Sequence, residues 1–273
     1  MYKINGIEKL YIQLKEGESL YFVTDPHGEF KKLHEALVLL GFKFKPDLNG
    51  EVDRLFIIGD MIDRGNESVD LLGFARYNPH VMACRGNHEV IAYHGISSGS
   101  AANLALWLQN GGDWYYDHDE YFLKDLLKWS YELPDGYELN INDNHKIGLI
   151  HASIPQDPDD ELDWETASGI FNDSIGKQNH QLMSYGLENR KLYDTKDQRV
   201  VCGVDALLHG HNLVRDAPEV LGNRIYLDGG ANVDSESYGI TILEYNPEKA
   251  DVMGIFKKYR FVRDAYTRLL EIV

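Results

Sequence analysis

The chain has 273 residues, 43% of them apolar, and carries 44 Asp and Glu against 27 Lys and Arg, a formal net charge of −17. Such an acid excess excludes general affinity for a nucleic-acid backbone, which requires a surplus of Lys and Arg. No apolar stretch approaches membrane-span length, and the N-terminal "MYKINGIEKLYIQLKEGESL" lacks the apolar segment of a signal peptide, so the expectation is one cytoplasmic domain that engages no membrane.

In chain order, "SLYFVT" (19 to 24) predicts a strand, and "EFKKLHEALVLLG" predicts a helix because Phe30, Leu33, Leu37 and Leu40 recur at a helical period closed by Gly41. "RLFIIG" (54 to 59) predicts the next strand, "ESVDLLGFARY" the next helix, and "HVMACRG" a third strand. Helices follow at "ANLALWLQN" and "YFLKDLLKWS", then a hairpin across "GYELNINDNHKIGLIHA" with its turn at Asp143-Asn144. Residues 152 to 200 read as polar and irregular. Strands resume at "DALLHG", "RIYLDG", "YGITILEY" and "DVMGIFKK", and an amphipathic helix is expected near "RDAYTRLLEIV". Cys84 and Cys202 both lie in apolar segments and are expected to be buried free thiols rather than a disulfide or a metal pair.

The polar residues fall at particular places on this map. Each predicted strand end in one series releases a potential ligand: Asp25 and His27 after "YFVT", Asp60 after "FIIG", Asn87 and His88 after "MACRG", His151 after "IGLI", and His211 after "LLHG". Strand ends are rigid, and loops leaving one edge of a sheet converge. Asp25 and His27 can point the same way if the chain between them stays extended, and Asp60 has two oxygens with which to bridge. Carboxylate, imidazole and amide together suit Mn²⁺, Fe or Zn²⁺. Two such ions about 3.5 to 4 Å apart, sharing a carboxylate, form a centre for hydrolytic displacement at phosphorus. Taken singly, an Asp after a strand is more often a helix cap and a lone His a structural residue; the ordered set changes that weighing.

The ordered motifs "DPHG", "GDMIDRG", "RGNHE", "HAS" and "GH" resemble those of the metallophosphoesterases, and within them the phosphoprotein phosphatase family. The likeness runs from Asp25 to about Asn232 and is closest to the compact phage and bacterial branch, which has a similar stretch to "WLQNGGDW" (107 to 114). The resemblance implies an α/β fold, a two-sheet β-sandwich flanked by helices with a dinuclear metal site at the strand ends, and insertions at about 95 to 135 and 152 to 200 covering the site. It implies one ion on Asp25, His27 and Asp60 and a second on Asp60, Asn87, His151 and His211. The two ions, Mn expected and Fe or Zn possible, would activate the attacking water. His88 would be the general acid, Asp63 its orienting carboxylate, and Arg64 the grip on phosphate oxygens, with Arg190 of "ENRKL" the candidate for a second phosphate-binding arginine. Arg85 either supports the site from behind or packs elsewhere. His209, two residues before His211, is given a strand-interior role. Thr24 stands where the family has glycine, and Pro26 sits between two ligands. The implied activity is a phosphomonoester hydrolase, foremost a serine/threonine protein phosphatase that also admits phosphotyrosine. The alternatives are a dinucleoside-polyphosphate or other small-phosphoester hydrolase and, against the complete ligand set, an inactive phosphate-binding module.

Overall fold

The structure is a computed structural model that describes residues 3–155, 161–216, 218–235, 237–245, 256–262 and 270–271. From the N-terminus the elements are Ile7–Ile12 (β1), Leu20–Val23 (β2), Phe30–Leu39 (α1), Arg54–Ile58 (β3), Ser68–Tyr77 (α2) and Val81–Cys84 (β4). Next come Asn87–Ser97 (α3), Ala101–Gln109 (α4), a 3-10 turn at Gly112–Asp117, Glu120–Tyr131 (α5), and the hairpin Gly136–Ile141 (β5) and His145–Ile150 (β6). The second half holds Leu162–Asp163 (β7), Trp164–Asp173 (α6), His180–Leu187 (α7), Lys191–Asp194 (α8), Val201–Cys202 (β8), Ala206–His209 (β9), Glu219–Leu221 (β10), Arg224–Tyr226 (β11), Gly239–Tyr245 (β12), Phe256–Val262 (β13) and Leu270–Glu271 (β14).

These strands build one sheet in the order β14-β13-β12-β2-β3-β4 and another in the order β1-β5-β6-β9-β11-β10. In the first, β2, β3 and β4 are parallel, with Phe22 paired to Phe56 and Ile57 to Ala83. In the second, β6, β9 and β11 are parallel. Alternation along β2 explains the layering: Leu20 and Phe22 join a core shared with Leu139, Leu149 and Leu208 of the opposite sheet, while Tyr21 and Val23 point to a helical layer with Leu33, Leu37, Leu71 and Leu126. A third cluster sets Trp164, Phe171, Leu182 and Leu187 of α6 and α7 against the outer face of the second sheet at Leu207. The strands β2, β3, β4 and β9 are therefore covered on both faces, which is why they read as nearly continuous apolar runs.

Several expectations are corrected. The span 152 to 200 contains three helices, and β1 and α3 go unmarked in the sequence reading. The hairpin turns one residue earlier than expected: Asn142 and Asp143 are the left-handed pair, with φ of 51° and 56°, and Asn144 N donates to Ile141 O. Asn and Asp tolerate that conformation because their short side chains bond locally. At the C-terminus, Leu270–Glu271 is a strand paired with Tyr259 and Arg260 instead of helix, and the rest of that expected helix, like the first residues of "DVMGIFKK", lies outside the described residues. Cys84 is buried, but Cys202 is exposed and its thiol donates to Glu161.

Candidate active site

Asp25, Asp60 and Asn87 follow the C-terminal ends of β2, β3 and β4, and His151, His211 and Asp228 follow those of β6, β9 and β11. All these strand ends open on one edge of the sandwich. All but His151 line a cavity of about 440 Å³ with His27, Arg64, His88 and Arg190, and His151 lies behind it with Nε2 3.4 Å from Asp60 Oδ2, so the structure brings the expected residues together.

The loops themselves are not extended. Asp25, His27, Asp60, Asp63, Arg64 and His211 all have positive φ, between 41° and 73°, a conformation costly for residues other than glycine. Convergence of Asp25 and His27 thus comes from left-handed turns on either side of Pro26, not from a strand-like chelate. The backbone holds them there: Asp25 N donates to Gly59 O, His27 N to Asp60 O, Gly28 N to Met61 O and Gly65 N to His27 O, at 2.8 to 3.2 Å. The approach is so close that a Cβ on Gly65 would lie 2.3 Å from His27 O. Thr24 is accommodated because Gly210 faces it, with room for no side chain of its own.

Each histidine is oriented by its far nitrogen. His27 Nδ1 lies 3.0 Å from Ile62 O and His151 Nδ1 lies 3.1 Å from Ile58 O, so both rings donate to a main-chain carbonyl and turn Nε2 towards the cavity. This is the support a metal-binding imidazole ordinarily has. His88 Nδ1 instead donates to Asp63 Oδ2 at 2.7 Å, and its backbone N–H donates to Asp60 Oδ1. The donor atoms of His27, Asp60 and His88 fall within 4.8 Å of one another, as do those of Asp60, His151 and His211, with Asp60 common to both groups. The terminal amide of Asn87 is 3.1 Å from both His151 and His211. Asp25 lines the cavity with both carboxylate oxygens accepting from His211 N, at 3.0 and 3.1 Å.

The electrostatics favour cations. Burial first and the neighbouring Asp228 second push the Asp25 carboxyl well above the usual range, and burial likewise raises Asp228. Burial and Asp60 raise Glu89 to about 7. Burial opposes charge on His151, yet Asp60 and Asp25 outweigh it and push that ring up to about 10. Burial opposes charge on Asp60 as well, yet His151 and His88 hold its carboxyl well below the usual range, while burial lowers His27 and His211 to about 3. Crowded buried carboxylates beside neutral imidazoles with aimed ring nitrogens fit a pair of divalent ions.

Arg64 spans the cavity with its terminal nitrogens 2.8 Å from His27 Nε2 and 3.1 Å from His88 Nε2; Arg190 donates to His211 O with its Nε 3.2 Å from His211 Nε2, which lies 3.1 Å from Glu188 O and leaves Nδ1 facing Asn87. Asp63 does not face the cavity: it is wholly buried beneath His88. Arg85 is absent from the site. It is buried and pairs with Asp135 at 2.6 Å while donating to Tyr131 O and Lys3 O, which fastens the N-terminal segment to the end of α5. His209 is a strand-interior residue stacked on Tyr226 at 4.9 Å. Two contributors went unread in the sequence. Glu89 accepts from the backbone N–H groups of Asp60, Met61 and Gly86 and so pins the bridging loop. Asp228 ends "RIYLD" in the same way that the other candidate ligands end their strands, a signal that could have found it.

Residues 19–215 match the family model described as calcineurin-like phosphoesterase. The chain belongs to that family. The phosphoesterase is 30% identical over 215 residues to serine/threonine-protein phosphatase 2 of Escherichia coli, covering 78% of this chain and 87% of that protein. It is 28% identical over 153 residues to the symmetrical bis(5'-nucleosyl)-tetraphosphatase of Serratia proteamaculans, covering 55% of this chain and 46% of that one. A serine/threonine phosphatase structure from Saccharomyces cerevisiae superposes with a TM-score of 0.60 at 15% identity, over 96% of this chain and 85% of the other, a likeness of fold. The phosphoesterase is therefore a hydrolase of the metallophosphoesterase type, and the paired His and Asp groups at its strand ends match the divalent metal ions that the family implies. Among the described residues no helix is long and apolar enough to cross a membrane.

Proposed function

We propose that the chain is a protein phosphatase hydrolysing phosphoserine and phosphothreonine, with phosphotyrosine admitted, and that residues 1 to 273 form one domain in which 95 to 135 and 152 to 200 are insertions. The observation that carries the reading is the His88–Asp63 pair: the ring's Nε2, 3.1 Å from Arg64, opens into the same cavity as two arginines and two metal-competent groups that share Asp60. In this reading Asp25, His27 and Asp60 would hold one ion, and Asp60, Asn87, His151 and His211 would hold the other. When bound, two divalent ions supply a nucleophile from water at neutral pH and neutralise charge on the phosphoryl oxygens.

The chain's own side chains do the rest. Arg64 and Arg190, on opposite sides of the cavity, grip the non-bridging oxygens and hold the ester in line. Asp63 keeps the Nδ1–H tautomer of His88, and the charged ring delivers its Nε2 proton to the leaving oxygen. Burial opposes that charge, but Asp60 and Asp63 raise His88 above an ordinary imidazole, which supports the acid role. A groove of about 550 Å³ shares Asn87 and Asn110 with the cavity and offers Val90, Ile91, Leu106, Met183 and Leu187 to a substrate that extends beyond its phosphate. The E. coli protein phosphatase is matched over most of its length and the tetraphosphatase over less than half, which favours the protein substrate.

The test is turnover of a phosphopeptide panel beside diadenosine tetraphosphate, with Mn²⁺ added back to metal-stripped enzyme. The expected result is phosphate release from phosphoserine and phosphothreonine peptides that depends on added metal. Hydrolysis of the dinucleotide with no release from any peptide would establish the alternative reading, and full activity in metal-free protein would overturn the mechanism.

A further inference from the structure

The buried Asp63 carboxylate has a second set of partners besides His88. Trp107 Nε1 and Trp114 Nε1 donate to the same oxygen, Asp63 Oδ1, at 2.9 and 2.8 Å, leaving Oδ2 to accept from His88 Nδ1 at 2.7 Å. Trp107 comes from α4, Trp114 from the 3-10 turn, and the two rings meet edge to face at 5.7 Å. Both indoles are buried, at 0% and 6% exposure, so water does not share these contacts. The intervening segment is shaped to allow this: a Cβ on Gly112 would lie 2.5 Å from Trp107 Nε1, and Gly111, left-handed at φ 97°, accepts from Arg64 N through its carbonyl.

We propose that Trp107 and Trp114 are positioning residues for the reaction, acting through Asp63 on His88. A carboxylate removed from water must have its oxygens satisfied or it loses its charge. Two indole donors on Oδ1 do this, fix the rotation of the carboxylate plane, and leave Oδ2 for the imidazole. The insertion around α4 is therefore part of the acid machinery as well as a wall of the cavity. A tryptophan pair placed only to fill space would have no reason to aim both ring N–H groups at one oxygen.

The inference rests on the acid role proposed for His88, and its test reads leaving-group dependence. Trp107→Phe, Trp114→Phe and the double variant remove donors while keeping aromatic bulk. Site-specific 3-benzothienylalanine at either position keeps the indole shape and loses only the N–H, which covers the case in which a phenylalanine variant does not fold. For each, kcat is compared on esters of good and poor leaving groups within whichever class the unaltered enzyme hydrolyses, so a wrong substrate class appears in the unaltered enzyme and a wrong role for the indoles only in the variants. The expected loss is about tenfold per indole on the poor leaving group, the size of one charge-assisted hydrogen bond. Losses on p-nitrophenyl phosphate should be clearly smaller, and bound metal should not change. In an Asp63→Asn background the same substitutions should add almost nothing. Equal losses on good and poor leaving groups, or losses that add in full to that of Asp63→Asn, would overturn the proposal.

Discussion

The two candidate metal groups share Asp60 but are built differently. His27, Asp60 and His88 all come from the edge of one sheet, where main-chain hydrogen bonds join the loop after β2 to the loop after β3. His151 and His211 follow strands of the other sheet and reach across to the first: His151 Nδ1 donates to Ile58 O with Nε2 3.4 Å from Asp60 Oδ2, and His211 N donates to the Asp25 carboxylate. The first group is a property of local chain geometry. The second exists only while the two sheets stay in register across their shared core, so the centre has one half that folding of a few loops secures and one half that tertiary packing secures.

Substitutions can separate the halves. The largest effect is expected from Asp60→Asn, which weakens the one ligand common to both: elemental analysis should find both ions lost and hydrolysis at background, whereas two ions and normal turnover would show that the halves are independent of it. Next is His88→Ala. If this ring is the acid and not a ligand, both ions stay bound while kcat on a phosphoserine peptide falls by about 10² to 10⁴-fold, with a smaller fall on p-nitrophenyl phosphate. Because a ring nitrogen of His88 lies within 4.8 Å of donor atoms of His27 and Asp60, loss of metal is the outcome that would make it a ligand instead of the acid.

His211→Ala should remove one ion and leave one, since only the inter-sheet group loses a donor; loss of both would mean that the halves are coupled beyond Asp60. The smallest effect on the centre should come from Leu139→Ala in the core between the sheets, where the side chain is fully buried. It is expected to cost about 2 to 5 kcal/mol of unfolding free energy. Metal titration should then show the second ion weakened several-fold and the first unchanged. Equal weakening of both would dissolve the distinction.

The candidate ligands were legible because each lies within a few residues of the end of an apolar run, and a strand buried on both faces leaves such a run with an abrupt polar end. Their backbone conformation was not: nothing in "TDPHG" announces φ near 45° at Asp25 and His27, because non-glycine residues reach that region only when tertiary hydrogen bonds force them. The start of α3 was hidden by function, since its first turn is Asn87, His88 and Glu89, residues chosen for the cavity and for Gly86, Asp60 and Met61 rather than for helicity. The edge strand β1 alternates too weakly to stand out, with Glu8 and Lys9 exposed between Ile7 and Ile12. Near the C-terminus, Leu270–Glu271 pairs with β13, a long-range partner that no local periodicity encodes. Arg190 reaches the cavity because it sits between α7 and α8, in a segment that reads as irregular in the sequence.

The hairpin joining β5 to β6 has a practical use. Its turn, with Asp143 and Asn144 exposed, stands at the start of a strand whose other end delivers His151. The six residues of β6 span about 20 Å at the usual rise per residue. A dye, affinity tag or surface linker attached at that turn would sit on the far side of the sandwich from the catalytic mouth, giving a handle for immobilising the enzyme with its opening turned towards solution.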